Sequence, residues 1–156
     1  VPKIQYFGKA LFEDSYMPLS QDRLYYYQRL SAAKNKQDIG AVQKEVTDRC
    51  GKPSPGTITL YKITEIRTAY TQTLVKNILI KKDRVVLTLM GADPKTENET
   101  SVGSLMNALE AAGTKYMFKQ LKKDDLGLEI FCDADNEPLT VLMRKAELFY
   151  YDNNNT

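Results

Sequence analysis

The residues available for chemistry are unusual because the chain has two cysteines and no histidine. Without imidazole, neither Ser-His-Asp nor Cys-His catalysis nor a histidine metal site is possible. Acidic and amide side chains crowd at positions 133–137, but Pro138 stands at the sixth place, where a calcium-binding EF-hand loop requires glycine. No glycine-rich phosphate loop is present. The sequence therefore predicts no catalytic residue, no metal and no cofactor, and favours a binding protein over an enzyme.

Two kinds of modification site point to an oxidising compartment. The even cysteine count predicts one disulfide between Cys50 and Cys132, the alternative being two buried reduced thiols. Asn98 and Asn154 each begin an acceptor tripeptide for N-glycosylation. The chain begins at Val1 without a methionine, which is typical of a chain whose signal peptide has been removed. Together these features predict a secreted, extracellular glycoprotein.

Apolar strands and abundant tyrosine suggest what such a protein would bind. The segments 74–80 and 85–90 are partly apolar on both faces, so a second apolar surface must cover them. Helices of the same chain are one candidate for that cover, and a lipophilic ligand or partner protein is the other. Tyrosine suits the wall of a pocket for an amphipathic ligand, although an aromatic core is the alternative explanation. The predicted pocket wall consists of Tyr27, Tyr61, Tyr70, Leu74, Ile78, Leu87, Leu89, Tyr116 and Phe118.

Composition limits the remaining possibilities. With 156 residues, 42% hydrophobic and 27% charged, the chain is predicted to form a single globular domain over residues 1–156. Its formal net charge is only +2, and its basic residues are dispersed among acids, so we expect no nucleic-acid partner. No apolar run approaches the roughly 20 residues of a membrane-spanning helix.

Periodicity predicts two helices near the start. Residues 1–19 look irregular, and Ser20 begins a helix that turns Leu24, Tyr27 and Leu30 inward. Asp38 begins a second helix, and Gly51 ends it. Its buried stripe is Ile39, Val42, Val46 and Cys50.

The rest of the chain is predicted to be mostly extended. We expect a strand over 57–67, a hairpin from 71–80 and 85–90, and further strands over 115–121, 126–132 and 139–151. A short helix from Ser101 to Gly113 interrupts them, and residues 152–156 form a frayed tail. The apolar face of this helix carries Val102, Leu105, Met106 and Leu109.

This element order predicts an α+β fold, in which a curved antiparallel sheet of about six strands is covered by two N-terminal helices and one mid-chain helix. The order is similar to that of the nuclear-transport-factor-like cone, which implies a pocket between helices and sheet. A lipocalin-like β-barrel with extra helices is the alternative, although the chain has no tryptophan and so lacks the Gly-x-Trp signature of that family. The predicted function is to sequester a small hydrophobic or amphipathic ligand. The alternative is an extracellular protein-binding module, immune-modulating or host-interacting, without a cavity.

Overall fold

The computed structural model describes residues 1–90, 98–122 and 125–150, and side chains within 98–102 are not described. The chain divides into two compact units. The helical unit comprises Gly8–Ala69, and the sheet unit comprises Val1–Phe7 together with the chain from Tyr70 onward. The single domain expected from the sequence stays a prediction.

The helical unit contains α1 (Ser20–Ala32), α2 (Lys36–Cys50) and nearly all of α3 (Pro55–Tyr70). The first two helices confirm the sequence prediction. The cap of α2 is Asn35, whose side chain accepts the N–H of Asp38 at 2.9 Å, so the helix begins one turn earlier than expected. It ends at Gly51, where φ is +88°, a conformation that glycine adopts without strain. The predicted inward residues Ile39, Val42 and Val46 are all buried.

The helix α3 replaces the strand predicted for residues 57–67. Thr57, Tyr61 and Thr64 are buried at intervals of four and three residues, which is the spacing of one helix face. Because the hydroxyl of Thr64 donates to the carbonyl of Leu60 at 2.8 Å, burial leaves it with a partner. The Thr, Ile and Tyr content that favours a strand is thus overridden by packing within the unit.

The first turn of α3 is fixed by Glu13 and by close approach to Gly56. The Glu13 carboxylate accepts the Ser54 hydroxyl at 2.8 Å and the Gly56 N–H at 3.4 Å. A Cβ at position 56 would lie 2.5 Å from Glu13 Oε1 and 3.2 Å from the Leu11 carbonyl. Only glycine therefore fits beside this carboxylate without displacing it.

Replacing Gly56 with alanine is expected to lower the free energy of unfolding by about 1–2 kcal/mol, since overpacking and lost hydrogen bonds outweigh the usual gain of alanine in a helix. The matched control is Gly40→Ala in α2, where nothing lies within 4 Å of the added methyl group. That control is expected to stabilise by about 0.5–1 kcal/mol. Urea unfolding of both variants measures the difference, and equal stabilisation by the two would show that Glu13 moves aside freely.

The sheet unit contains five strands in the order β1-β2-β3-β5-β4. They are β1 (Lys3–Tyr6), β2 (Val75–Ile80), β3 (Arg84–Leu89), β4 (Tyr116–Gln120) and β5 (Leu126–Phe131). The predicted 71–90 hairpin is confirmed by the antiparallel pairing of β2 with β3. The segment 1–19 is not wholly irregular, because β1 pairs in parallel with β2. The sheet is therefore mixed and has five strands in the described chain, where a six-stranded antiparallel sheet was expected. It is not closed, which argues against the barrel.

The helices of the sheet unit are α4 (Asn98–Ala111) and α5 (Pro138–Lys145), followed by a 3-10 helix (Ala146–Phe149). The mid-chain helix was predicted, and Gly113 follows it with φ +69°. Met106 on its expected apolar face is 37% exposed, and the Val102 side chain lies outside the described atoms. The strand predicted for 139–151 is wrong: its buried residues repeat at helical intervals. The residues that follow this spacing are Leu139, Leu142, Ala146 and Phe149, and Val141 beside them is also buried.

The two sides of the sheet differ in burial. Residues that pair across β2, β3 and β5 on the first side, such as Ile78, Leu87 and Leu128, are at most 1% exposed. Their neighbours on the second side, Leu79 and Val86, are only half-buried. On the first side, α5 contacts β3, and the 3-10 helix contacts both α5 and α4. The strands β2 and β3 are apolar on both faces, and helices of the same chain cover one of those faces. This is the first of the two covers that the sequence predicts.

Candidate protein-interaction surface

The start of α1 carries most of the exposed apolar surface of the helical unit. Among the large hydrophobic residues of 8–69, Leu19, Leu24 and Tyr25 are 57%, 58% and 49% exposed, and Ile58 is 40% exposed. Leu24 was expected in the core, but α1 instead buries Tyr26 and Leu30. The run of three tyrosines spreads around the helix, so Tyr26 is buried, Tyr27 is half-buried and Tyr25 faces solvent. The helix thus presents an apolar and aromatic edge to its surroundings.

Fixed neighbours hold the Tyr25 ring in place. It packs edge-on against Tyr26 with ring centroids 4.9 Å apart, and the Arg29 guanidinium lies 5.7 Å from its centroid. Arg29 in turn forms an ion pair with Glu45 of α2. The hydrogen bond from Arg29 lowers the pKa of the Glu45 carboxyl below its ordinary value, so this pair is charged at neutral pH. We call Leu24, Tyr25, Arg29 and Glu45 the Tyr25 surface.

A second set of contacts joins α1 to α2 beneath this surface. Arg49 donates to the Tyr26 hydroxyl at 3.1 Å and approaches the Asp22 carboxylate at 3.6 Å. In the first turn of α1, Arg23 donates to the carbonyls of Met17 and Pro18, which precede the helix, at 2.6 and 2.9 Å. Because these bonds tie both helices and the preceding loop together, the exposed side chains sit on a fixed backbone. A rigid backbone lowers the entropy that a binding surface loses when its partner docks.

The chemistry of this surface is that of recognition. Tyrosine and arginine dominate the energetically important positions of protein interfaces, and exposed apolar patches mark such sites. Within the part of the chain that the structure describes, no group of three or more histidine, cysteine or acidic side chains is placed to hold a metal ion. In the same described residues, no helix is long and apolar enough to cross a membrane.

The nine residues predicted to line one pocket are distributed over both units. In the helical unit, the hydroxyl of Tyr27 accepts the Phe12 N–H at 2.9 Å, and Tyr61 is buried with a hydroxyl that has no partner among the described atoms. Burial raises the pKa of Tyr61 far above its ordinary value. Both side chains belong to, or pack against, the core of that unit.

The other seven lie in the sheet unit, where most are part of the closed core or its edge. Ile78, Leu87 and Leu89 are at most 1% exposed, so they fill the interior. Tyr70 is also fully buried and donates to the Leu142 carbonyl at 2.7 Å, while Leu74 is half-buried beside the 3-10 helix. On strand β4, the rings of Tyr116 and Phe118 lie 5.6 Å apart.

The predicted modification sites are described only in part. Cys50 and Cys132 are free thiols in the structure, and their disulfide stays a prediction. They belong to different units, and the Cys132 Sγ instead approaches the Ile130 carbonyl at 3.7 Å. Burial raises the pKa of the Cys132 thiol, which keeps it protonated at neutral pH. The Asn98 side chain and all of Asn154 lie outside the described atoms.

The fold is α+β, and comparison with known proteins gives the family of the chain. A family model for the TRCF domain matches residues 8–100, which include the whole helical unit. The chain belongs to the TRCF domain family. No curated protein sequence matches the chain.

Among solved structures, the chain is similar to the C-terminal domain of a transcription-repair coupling factor, with a TM-score of 0.72. The two share 14% sequence identity, and the match covers 95% of this chain and 93% of the other. The α+β fold, with its mixed sheet and five helices in the described residues, is thereby confirmed, and the closed barrel is excluded.

These comparisons overturn the functional prediction made from the sequence. Membership in the TRCF family, together with a fold shared with a domain of a transcription-repair coupling factor, contradicts a secreted ligand-binding protein. The secreted ligand carrier and the extracellular protein-binding module are both wrong. The predicted extracellular location, glycosylation, lipid binding and small-molecule partner fall with them, as does the exclusion of nucleic-acid partners. A missing initiator methionine, two cysteines and two common tripeptides did not carry enough information to fix a compartment.

Proposed function

We propose that this chain is a non-enzymatic docking domain of a protein that couples transcription to DNA repair, and that its Tyr25 surface binds a protein partner. The single observation that carries the proposal is the family match over residues 8–100, which spans every residue of that surface. The structural relative is a domain of a transcription-repair coupling factor, which supports the same role.

The composition of the surface supports a protein rather than a nucleic acid as the partner. Arg29 is paired with Glu45, and Arg49 approaches Asp22, so the surface carries little net charge. A site that binds duplex DNA needs a one-sided array of cations to neutralise phosphates. An exposed leucine and tyrosine beside a fixed arginine are instead what an interface buries at its centre.

Site-specific crosslinking tests this proposal. Gln28 lies one turn beyond Leu24 and Tyr25 on α1 and is exposed, so a photoreactive amino acid placed there is expected to capture a protein partner in cells. The double variant Leu24→Ser, Tyr25→Ser is expected to abolish the adduct, since central interface residues contribute about 2 kcal/mol or more each. Ile58→Ser is the matched control, because Ile58 is exposed in the same unit but lies on α3.

The same variants give a readout of repair. In cells that carry the double variant, the ratio of photolesion removal from the transcribed strand to that from the opposite strand is expected to change by about tenfold or more, the fold-change that about 1.4 kcal/mol produces. The Ile58→Ser control is expected to leave the ratio unchanged. An unchanged ratio and an intact adduct in a correctly folded double variant would falsify the proposal.

A further inference from the structure

The second side of the sheet forms a surface that is independent of the Tyr25 surface. Strand register aligns Leu79, Val86, Glu129 and Met117 in one row across β2, β3, β5 and β4. Met117 is 52% exposed, and the other three are half-buried. A sheet side whose middle row is largely aliphatic and only half-buried leaves apolar surface for a cover or a partner. We call this side the open sheet face.

Basic residues frame this middle row. At one end, Lys81 pairs with Arg84 across the hairpin, and the backbone bond from Phe131 N–H to the Lys115 carbonyl places Lys115 in the same row. At the other end, Lys3 and Lys119 occupy the outer strands. The two framing rows are separated by four residues along a strand, or about 13 Å, and five strands span about 20 Å.

The charge of the open sheet face is strongly one-sided. Among the described residues of its three rows, it carries five cations and one anion, Glu129, whose carboxylate lies 4.0 Å from the Arg84 guanidinium. The pair Lys76–Asp125, with its atoms 3.2 Å apart, borders the face and adds no net charge. Five positive charges less one give +4, whereas the whole chain has a formal net charge of +2. Five lysines and arginines that are dispersed in the sequence thus lie together on one side of the sheet.

We propose that the open sheet face binds an acidic, amphipathic protein segment. Acidic side chains of such a segment meet Lys81, Lys115 and Lys119 at the frame, and its apolar side chains cover Leu79, Val86 and Met117. An apolar centre inside a charged frame is the usual layout of a protein-binding surface. Complementary charge steers the partner and fixes its orientation.

Two other occupants fit the face less well. Single-stranded nucleic acid requires flat aromatic rings on which bases stack, but the middle row has no aromatic side chain and Phe131 lies at its border. A second copy of the chain would bring two faces of like charge together, which is unfavourable. The acidic amphipathic segment satisfies both the cations and the apolar row. This inference does not depend on the Tyr25 surface, because the two surfaces belong to different units.

Binding of a defined probe to the full chain tests the proposal. The probe is a fluorescent helical peptide of about 16 residues with leucine on one side and glutamate on the other. Three comparison ligands are polyglutamate of the same length, the same peptide with glutamine in place of glutamate, and an oligothymidylate. We expect the acidic amphipathic peptide to bind at least about tenfold more tightly than each of them at about 150 mM salt.

Variants locate the binding. The pair Lys115→Glu, Lys119→Glu and the single change Met117→Ser are each expected to weaken peptide binding by about tenfold or more. The matched control is Lys36→Glu, Lys44→Glu, which reverses two exposed lysines on α2 and is expected to retain binding. Amide chemical shifts of β2–β5 report the contact directly, and they also show that each variant is folded.

Each other outcome overturns the proposal. Tighter binding of the oligothymidylate would assign the face to nucleic acid, and equal binding of polyglutamate would reduce it to a charge effect. Equal binding of the glutamine peptide would show that the lysines do not contribute to binding. No binding of any ligand, or equal loss in the Lys36→Glu, Lys44→Glu control, would remove the site itself. None of these results bears on the crosslinks from Gln28, so the two proposals fail separately.

Discussion

Replacing Leu87 with alanine is expected to lower the free energy of unfolding by about 2–5 kcal/mol. Leu87 is fully buried at the centre of β3, paired with Ile78 on one side and Leu128 on the other. The truncation removes apolar contacts with both neighbouring residues and leaves a cavity. Because β3 is hydrogen-bonded to a strand on each side, it cannot shift to fill that cavity. The loss is a large part of the total stability of a domain of this size.

The matched control is Leu24→Ala, the same chemical change on the exposed edge of α1. Leu24 is 58% exposed, so its truncation is expected to change stability by no more than about 0.5 kcal/mol. Urea unfolding followed by circular dichroism measures both variants. A small cost at Leu87 would mean that this residue lines an accessible pocket, as the sequence suggested, and a large cost at Leu24 would mean that it is covered.

The contrast between Leu24 and Leu87 shows what the sequence could and could not provide. Helical periodicity located α1, α2 and α4, and β-branched content with flanking turn residues located β2 to β5, because these signals come from neighbours along the chain. The same local signal placed Leu24 inward, but α1 buries Tyr26 instead. Which face of a short amphipathic helix packs inward depends on Phe12 and other residues distant in sequence. No single-helix pattern contains that information.

The two segments predicted wrongly fail for a related reason. Residues 57–67 and 139–151 are rich in β-branched and aromatic side chains, whose strand preference is weak and easily overridden. The helices that form there, α3 and α5, each begin with a proline, Pro55 and Pro138. Proline is favoured there because its missing N–H needs no partner in the first turn. That signal was present in the sequence and, given more weight, would have corrected both segments.

The candidate sites were the least accessible from sequence. The open sheet face depends on the register of five strands, and β1 joins the sheet in parallel from about 70 residues away in sequence. Lys3, Lys81 and Lys119 therefore looked like dispersed surface charges until the strands were aligned. The Tyr25 surface depends on which tyrosine of three faces solvent. In both cases, the sequence gives the residue types of the surface, but it does not show that these residues lie together in space.

Tyr70→Phe is expected to destabilise the protein by about 1–2 kcal/mol at neutral pH, because it removes a buried hydroxyl that donates to the Leu142 carbonyl. Tyr61→Phe is the matched control: the Tyr61 hydroxyl is buried without a partner among the described atoms, so its removal is expected to be neutral or stabilising. Urea unfolding at pH 7 separates the two variants.

Alkaline pH extends this test, since burial raises the pKa of both phenols far above the ordinary value of 10.0. Only the neutral phenol is accommodated in the fold. Neither phenol therefore makes stability depend on pH below about pH 10, and each lowers stability as the pH rises above it, because the unfolded chain ionises first. With no histidine in the chain, we expect little change between about pH 6 and 9 and a steep loss above 10. In the Tyr61→Phe, Tyr70→Phe double variant that loss becomes shallower. If stability falls equally steeply above about pH 10 in the wild type and the double variant, the alkaline transition is due to lysine deprotonation. The buried phenols then do not contribute to it.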